Sequence, residues 1–160
     1  MKRIIISIIA LAVACMVAGA QELSFDRGSS RISLGAGLPN LSSGTVKLPP
    51  LQASFEYGVA AFGQSSIGVG GAFEYAATSG TRTVCGEVFC KYHYNFTDRF
   101  DLDAHAGVGY GSYGTLKTAN YSIGADANYK FSEGFGVFGG LESSSLPGRA
   151  FLRAGIFFQL

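Results

Sequence analysis

The chain has 160 residues, a formal net charge of +1, 14% charged residues, 23 glycines and no tryptophan. A charge this low and balanced gives no basis for a nucleic-acid or anionic-surface partner, and the length suits one domain behind a short leader. Beyond that leader no segment is a continuous apolar run of about 18 residues, so a helical membrane span is excluded and the apolar content must be read as alternation.

Residues 1–20 have the form of a secretory signal. Lys2 and Arg3 are the basic start, residues 4–17 are apolar except for Ser7, and Ala18-Gly19-Ala20 is a small-x-small cleavage site. The run is short for a membrane anchor and polar residues follow it at once. Cys15 invites a lipoprotein reading, but Leu11 lies one place too far upstream for a good lipobox. Cleavage would leave Gln21 first, and losing Lys2 and Arg3 takes the net charge from +1 to −1. Residues 21–29 are polar and read as a short periplasmic lead-in.

Eight segments with a period of two follow, over residues 30–160. The first, 30–38, puts Ile32, Leu34, Ala36 and Leu38 on one face. The second, 51–59, carries Leu51, Ala53, Phe55, Tyr57 and Val59. The third, 66–76, carries Ile67, Val69, Gly71, Phe73 and Tyr75. The fourth, 83–96, carries Val84, Val88, Cys90, Tyr92, Tyr94 and Phe96. The fifth, 100–111, carries Phe100, Leu102, Ala104, Ala106, Val108 and Tyr110. The sixth, 121–131, carries Tyr121, Ile123, Ala125, Ala127, Tyr129 and Phe131. The seventh, 135–142, carries Phe135, Val137 and Leu141. The eighth, 149–160, alternates Ala150, Leu152, Ala154, Ile156, Phe158 and Leu160 with Arg149, Phe151, Arg153, Gly155, Phe157 and Gln159. These lengths suit tilted strands crossing a bilayer, which need roughly 9–11 residues.

Three connections are tight: 60–65, 97–99 and 132–134. Those at 39–50, 77–82, 112–120 and 143–148 are longer. Short inner turns alternating with longer outer loops are expected of an outer-membrane barrel. An even, up-and-down strand order closes without an edge, as lipid requires.

The charges supply the strongest check. Arg31, Glu56, Glu74, Glu87, Lys91, Asp101, Asp103, Asp126, Lys130, Glu142, Arg149 and Arg153 all fall in the phase opposite the apolar face. A soluble sandwich alternates too. Strand length, the signal and aromatic residues at both ends of the apolar face favour the membrane. Tyr57, Tyr94, Phe96, Phe100, Tyr129, Phe131, Phe135 and Phe158 mark the inner interface. Phe73, Tyr75, Tyr110 and Tyr121 mark the outer one.

The polar face is rich in glycine, at 35, 37, 68, 70, 107, 109, 111, 124, 136 and 155. An eight-stranded barrel holds side chains and little else, so glycine makes room for charged and aromatic neighbours. The lumen is expected to be a plug of paired charges, five basic against seven acidic, with His93 and His105 able to shift the balance. Glu87, His105, Asp126 and Arg153 are expected at mid-height. Glu56, Lys91, Asp103 and Lys130 belong to the same network. Glu74, Glu142 and Arg149 are expected at the outer mouth, as solvated charges or as a site for a cation or polar head group.

Cys85 and Cys90 would stand about 16 Å apart on one strand and face opposite ways. A disulfide needs Cα atoms within about 7 Å, so none is expected, and no metal-ligand spacing is present.

Residues 30–160, with the signal before them and Gly155-Ile156-Phe157-Phe158-Gln159-Leu160 at the end, resemble the small OmpA-like or OmpX-like outer-membrane β-barrel family. Such chains usually end in Phe; here Phe158 lies two residues earlier in the same phase. The resemblance implies an all-β, eight-stranded, antiparallel, up-and-down transmembrane barrel in the outer membrane of a Gram-negative-type cell. It implies lipid and lipopolysaccharide as surroundings, periplasmic chaperones and the barrel-assembly machinery as handlers, a monomer, no cofactor and no nucleic acid. It also implies a structural, envelope-integrity or surface role.

Two alternatives remain open from the sequence. One is a narrow channel for ions or small solutes. The other is a hydrolase acting on lipid A, which would need His, Ser and an acid together on the outer face. Neither His93 nor His105 has a serine two residues on, and both point inward by phase; structural histidines are the plainer reading. Gly107-Val108-Gly109-Tyr110-Gly111 lies within a strand with no helix behind it, so it is lumen packing and not a phosphate loop.

Overall fold

The computed structural model describes residues 23–39, 46–78 and 80–160. The expected signal at 1–20 and residues 40–45 of the expected loop at 39–50 lie outside the described residues, whereas 46–50, expected in that loop, belong to the second strand. Eight antiparallel strands form one closed barrel in sequence order. They are β1 (Ser30–Pro39), β2 (Val46–Phe62), β3 (Ser65–Thr78), β4 (Arg82–Asn95), β5 (Phe100–Tyr113), β6 (Leu116–Ser132), β7 (Phe135–Ser144) and β8 (Ala150–Gln159). β1 closes on β8 through pairs such as Leu34 with Ile156, so no strand edge is left unpaired.

The expected inside-outside phase holds along the strands except at the start of β8. Leu34, Phe55, Val88, Val108, Ile123 and Leu141 are exposed, whereas Glu56, Glu87, Asp103, Asp126 and Arg153 are buried. This inverts a soluble protein, and a hydrocarbon solvent is what makes the arrangement favourable. The inner aromatic residues form a linked girdle. Tyr94 meets Phe96, and Phe96 meets Phe100, which pairs with Tyr129. Tyr129, Phe131, Phe135 and Phe158 then touch in turn, at centroid distances of 5.3, 6.1 and 5.4 Å.

Three expectations are corrected. The stretch 112–120 is not a loop. β5 and β6 stay paired to Tyr113 and Leu116, and a two-residue turn with Gly114 at φ +61° joins them. Glycine with positive φ at the first turn position suits the right-handed twist of a hairpin. Gly63 makes the same kind of turn between β2 and β3. Second, strict alternation fails at the start of β8. A bulge opposite Leu38 and Pro39 turns Ala150 inward and Phe151 outward, because an extra residue shifts the side-chain phase. Third, the tight turn expected at 60–65 shrinks to Gly63-Gln64, and Phe62 joins Tyr92 on the lipid face.

Candidate functional site: a polar lumen sealed at both ends

The lumen can be described from the inner end outward. At the inner end, residues expected to lie in the periplasm enter the barrel. Ser24 and Phe25 are fully buried. Ser24 Oγ donates to Asp101 Oδ2 at 2.8 Å, and Ser66 Oγ donates to the Phe25 carbonyl at 2.7 Å. Asn95 Oδ1 accepts from the Phe25 N–H at 2.9 Å. The Phe25 ring stacks on His93 at 4.4 Å. His93 bridges two carboxylates, with Nε2 2.6 Å from Glu56 and Nδ1 2.9 Å from Asp101. Arg31 gives one hydrogen bond to Asp101 and another to Gln159. Its guanidinium carbon lies 4.8 and 4.3 Å from the Phe25 and Phe157 ring centroids. Among the described residues its Nε and Nη1 find no hydrogen-bond acceptor, and the aromatic faces supply a compensating attraction.

The middle layer is centred on Arg153. Its Nε and Nη2 donate to the two oxygens of Asp126 at 3.0 and 2.6 Å, the two-pronged geometry that suits guanidinium to carboxylate. Its Nη1 donates to Glu142 at 2.7 Å and to Gln52 at 3.0 Å, and Nη2 lies 3.1 Å from His105 Nε2. Lys91 stands 3.4 Å from both Asp103 and Asp126 and 3.9 Å from Glu56. Asn128 donates to Asp101 and Asp103 at 2.8 Å each.

Glu87 does not join that middle layer. It belongs to the outer layer, where Arg149 Nη1 and Nη2 donate to its two oxygens at 2.6 and 2.9 Å. Arg149 also lies 2.7 Å from Glu142 and 3.4 Å from Glu74. Glu142 therefore links the two arginines and the two layers. The mouth charges are not solvated: Glu74, Glu142 and Arg149 are 1, 2 and 1% exposed. The segment between β7 and β8 folds over them. Leu146 is 2% exposed, and Asn120 Oδ1 accepts from its N–H at 3.0 Å and from Ser144 Oγ at 2.8 Å. Lys130 lies at the inner rim, where it lines a recess with Asp98, Arg99 and Glu133.

Glycine permits this density. A Cβ at Gly68 would strike the Glu56 carboxylate, one at Gly124 would sit 2.6 Å from the His105 ring, and one at Gly140 would strike Asp126. What remains is an internal cavity of about 20 Å3 between Lys91, Asp126 and Arg153, room for about one water.

Two carboxylate-histidine groups are close enough together to suggest a metal: His93, Asp101 and Asp103, and Asp103, His105 and Asp126. Lys91 and Arg153 already neutralise the second group, and both nitrogens of His93 are taken by carboxylates. These are the partners of a packed ion network and not an open donor set. Cys85 is buried and Cys90 exposed, both as free thiols on opposite faces of β4.

Sequence reasoning missed Ser24, Phe25, Gln52, Asn128 and Leu146. The inward phase of Gln52 and Asn128 was a usable signal, since neutral amides cross-link charges in a dry interior. Nothing in the pattern of 21–29 or 143–148 signals insertion.

None of the protein families compared matches the chain, and no curated protein matches it. Solved structures do. The outer-membrane protein Ail of Yersinia pestis aligns with a TM-score of 0.57 at 14% identity, over 84% of this chain and 100% of that one. The outer-membrane protein OprG of Pseudomonas aeruginosa gives 0.58 at 10% identity, over 87 and 99%. A de novo designed transmembrane β-barrel gives 0.53 at 15% identity, over 84 and 98%. The chain has the fold of these small transmembrane barrels.

Proposed function

We propose, from a fold shared with small outer-membrane barrels, that this chain is an integral outer-membrane protein with a closed polar lumen and no enzymatic activity, serving envelope integrity or surface interaction. The supporting observation is the lumen itself, in which three layers of mutually paired groups run from Phe25 at one end to Leu146 at the other. A hydrolase would need a histidine nitrogen free to take a proton from a hydroxyl. Both nitrogens of His93 face carboxylates, and the His105 ring faces Arg153 and Glu142. Lipid and lipopolysaccharide form the surroundings of such a barrel, and chaperones and the assembly machinery deliver it. Insertion as a monomer completes this reading.

Planar-bilayer recording of the pure protein tests it. The expected result is no stable unitary conductance, because a charge crossing the lumen would have to break bonds that have no replacement partner. Large, persistent, porin-like steps would overturn the closed lumen. Small selective steps altered by Arg153→Gln would favour the narrow channel.

A further inference from the structure

On β3 and β4 the lipid-facing wall lacks side chains at two neighbouring positions. Gly71 of β3 and Gly86 of β4 point outward, in phase with Val69 and Phe73 and with Val84 and Val88. A Cβ at Gly86 would meet nothing within 4 Å, and one at Gly71 would meet only the Glu87 carbonyl at 3.4 Å. The wall is therefore dented here. A shallow depression opens outward, floored by the two glycines and flanked by Phe55, Phe73, Val88 and Tyr110.

A second recess, of about 380 Å3, lies at the loop end of the same strands and holds Lys47, Tyr75 and Arg82. Arg82, Val84 and Gly86 follow one another on the outward face of β4, so Arg82 stands roughly 13 Å beyond Gly86 at about 3.3 Å per residue. Both cations are exposed. No described carboxylate lies within ion-pair distance of either, and residues 40–45 and 79 include no acid. This contrasts with Arg31, Lys91, Arg149 and Arg153, which all face inward onto carboxylates.

An apolar wall alone cannot select a lipid, because every acyl chain around it is equally apolar. Selection needs shape and head-group charge together, and this wall offers both in one column. We propose that the β3–β4 wall binds one phosphorylated, multiply acylated saccharolipid of the outer leaflet, with an acyl chain in the Gly71–Gly86 recess and a phosphate held by Lys47 and Arg82. Ammonium and guanidinium donors give charge-assisted hydrogen bonds to phosphate oxygens. Tyr75 lines the same recess, and its hydroxyl is a further donor in the proposed site. The site rests on the outer-membrane reading above, with the loop end of β3 and β4 facing outward.

Native mass spectrometry of the folded full chain in detergent tests this, using bis-phosphorylated lipid A, the same lipid dephosphorylated, and phosphatidylglycerol as probes. The expected result is a one-to-one adduct with the phosphorylated saccharolipid. Dephosphorylation should weaken that adduct about tenfold or more, and so should the double variant Lys47→Gln/Arg82→Gln. Gly86→Leu, which fills open space, should weaken it without unfolding the barrel. Lys117→Gln, at an exposed rim cation outside both recesses, should leave it unchanged. Equal binding of the dephosphorylated lipid or of phosphatidylglycerol would overturn the proposal, as would an unaffected double variant. Labelling of Lys117→Cys in intact cells by a membrane-impermeant maleimide checks the orientation separately. No labelling there would overturn the outward-facing reading on which the site rests.

Discussion

Arg153 shows what a single residue does in this lumen. Four of its neighbours are acids or acceptors fixed at 2.6 to 3.1 Å, and the arginine is 6% exposed. Burying an ion pair is of little net benefit, but removing one partner strands the other charge. Arg153→Ala is therefore expected to destabilise the folded barrel by about 3–5 kcal/mol, read by urea titration in lipid vesicles. A loss under about 1 kcal/mol would mean that water already reaches Asp126 and Glu142. On the opposite face, Ala104→Arg should cost roughly 2–4 kcal/mol, the penalty for a midplane lipid-facing arginine. A negligible cost would place Ala104 away from hydrocarbon. The inward phase of Arg153, Asp126 and Lys91 was legible from the sequence, since one residue of slip would turn all of them to lipid. Their partners were not. Glu87 bonds Arg149 instead of the middle layer because side-chain length and cross-strand height decide pairing, and strand phase carries neither.

At the scale of elements, all eight strands could be read from alternation, and their ends could not. β5 and β6 run on past the apolar stretch to the Gly114 turn because backbone pairing continues wherever both strands are long enough. The alternation that marked them stops at the membrane interface. The bulge at Ala150 was hidden for a related reason: Ala150 and Phe151 are both apolar, so the pattern reads the same in either phase. The inserted segment at Ser24 and Phe25 was hidden because a short polar stretch looks alike whether solvated or bonded to Asn95, Ser66 and Asp101. Burial of Phe25 against His93 and Arg31 implies a specific contribution. Phe25→Ala should cost about 2 kcal/mol and speed amide exchange at Phe25 and Ser66 while leaving β6 protected. Unchanged exchange at Ser66 would show that the segment does not occupy the barrel end.

For the molecule as a whole, the same rule works twice. Residues facing lipid carry no charge over the membrane span, and most inward-facing polar groups bond to one another, with part of the Arg31 guanidinium held against aromatic rings instead. Under the proposed non-enzymatic function the histidines are members of the paired interior, with their ring nitrogens facing carboxylates and Arg153. Lipid A from cells expressing the protein is expected to keep the acyl pattern of cells lacking it, by mass spectrometry. A shift in acyl number that disappears in His93→Ala would require an enzyme. The central claim is that neighbouring residues of one strand face lipid and plug alternately. The absence of tryptophan makes this directly measurable, because an introduced indole is the sole reporter. Val88 is 63% exposed on the outer wall, and the adjacent Phe89 is 8% exposed inside. In vesicles of brominated phospholipid, Val88→Trp should be strongly quenched and Phe89→Trp should retain most of its emission. Equal quenching at both positions, or the reverse order, would contradict the barrel described here.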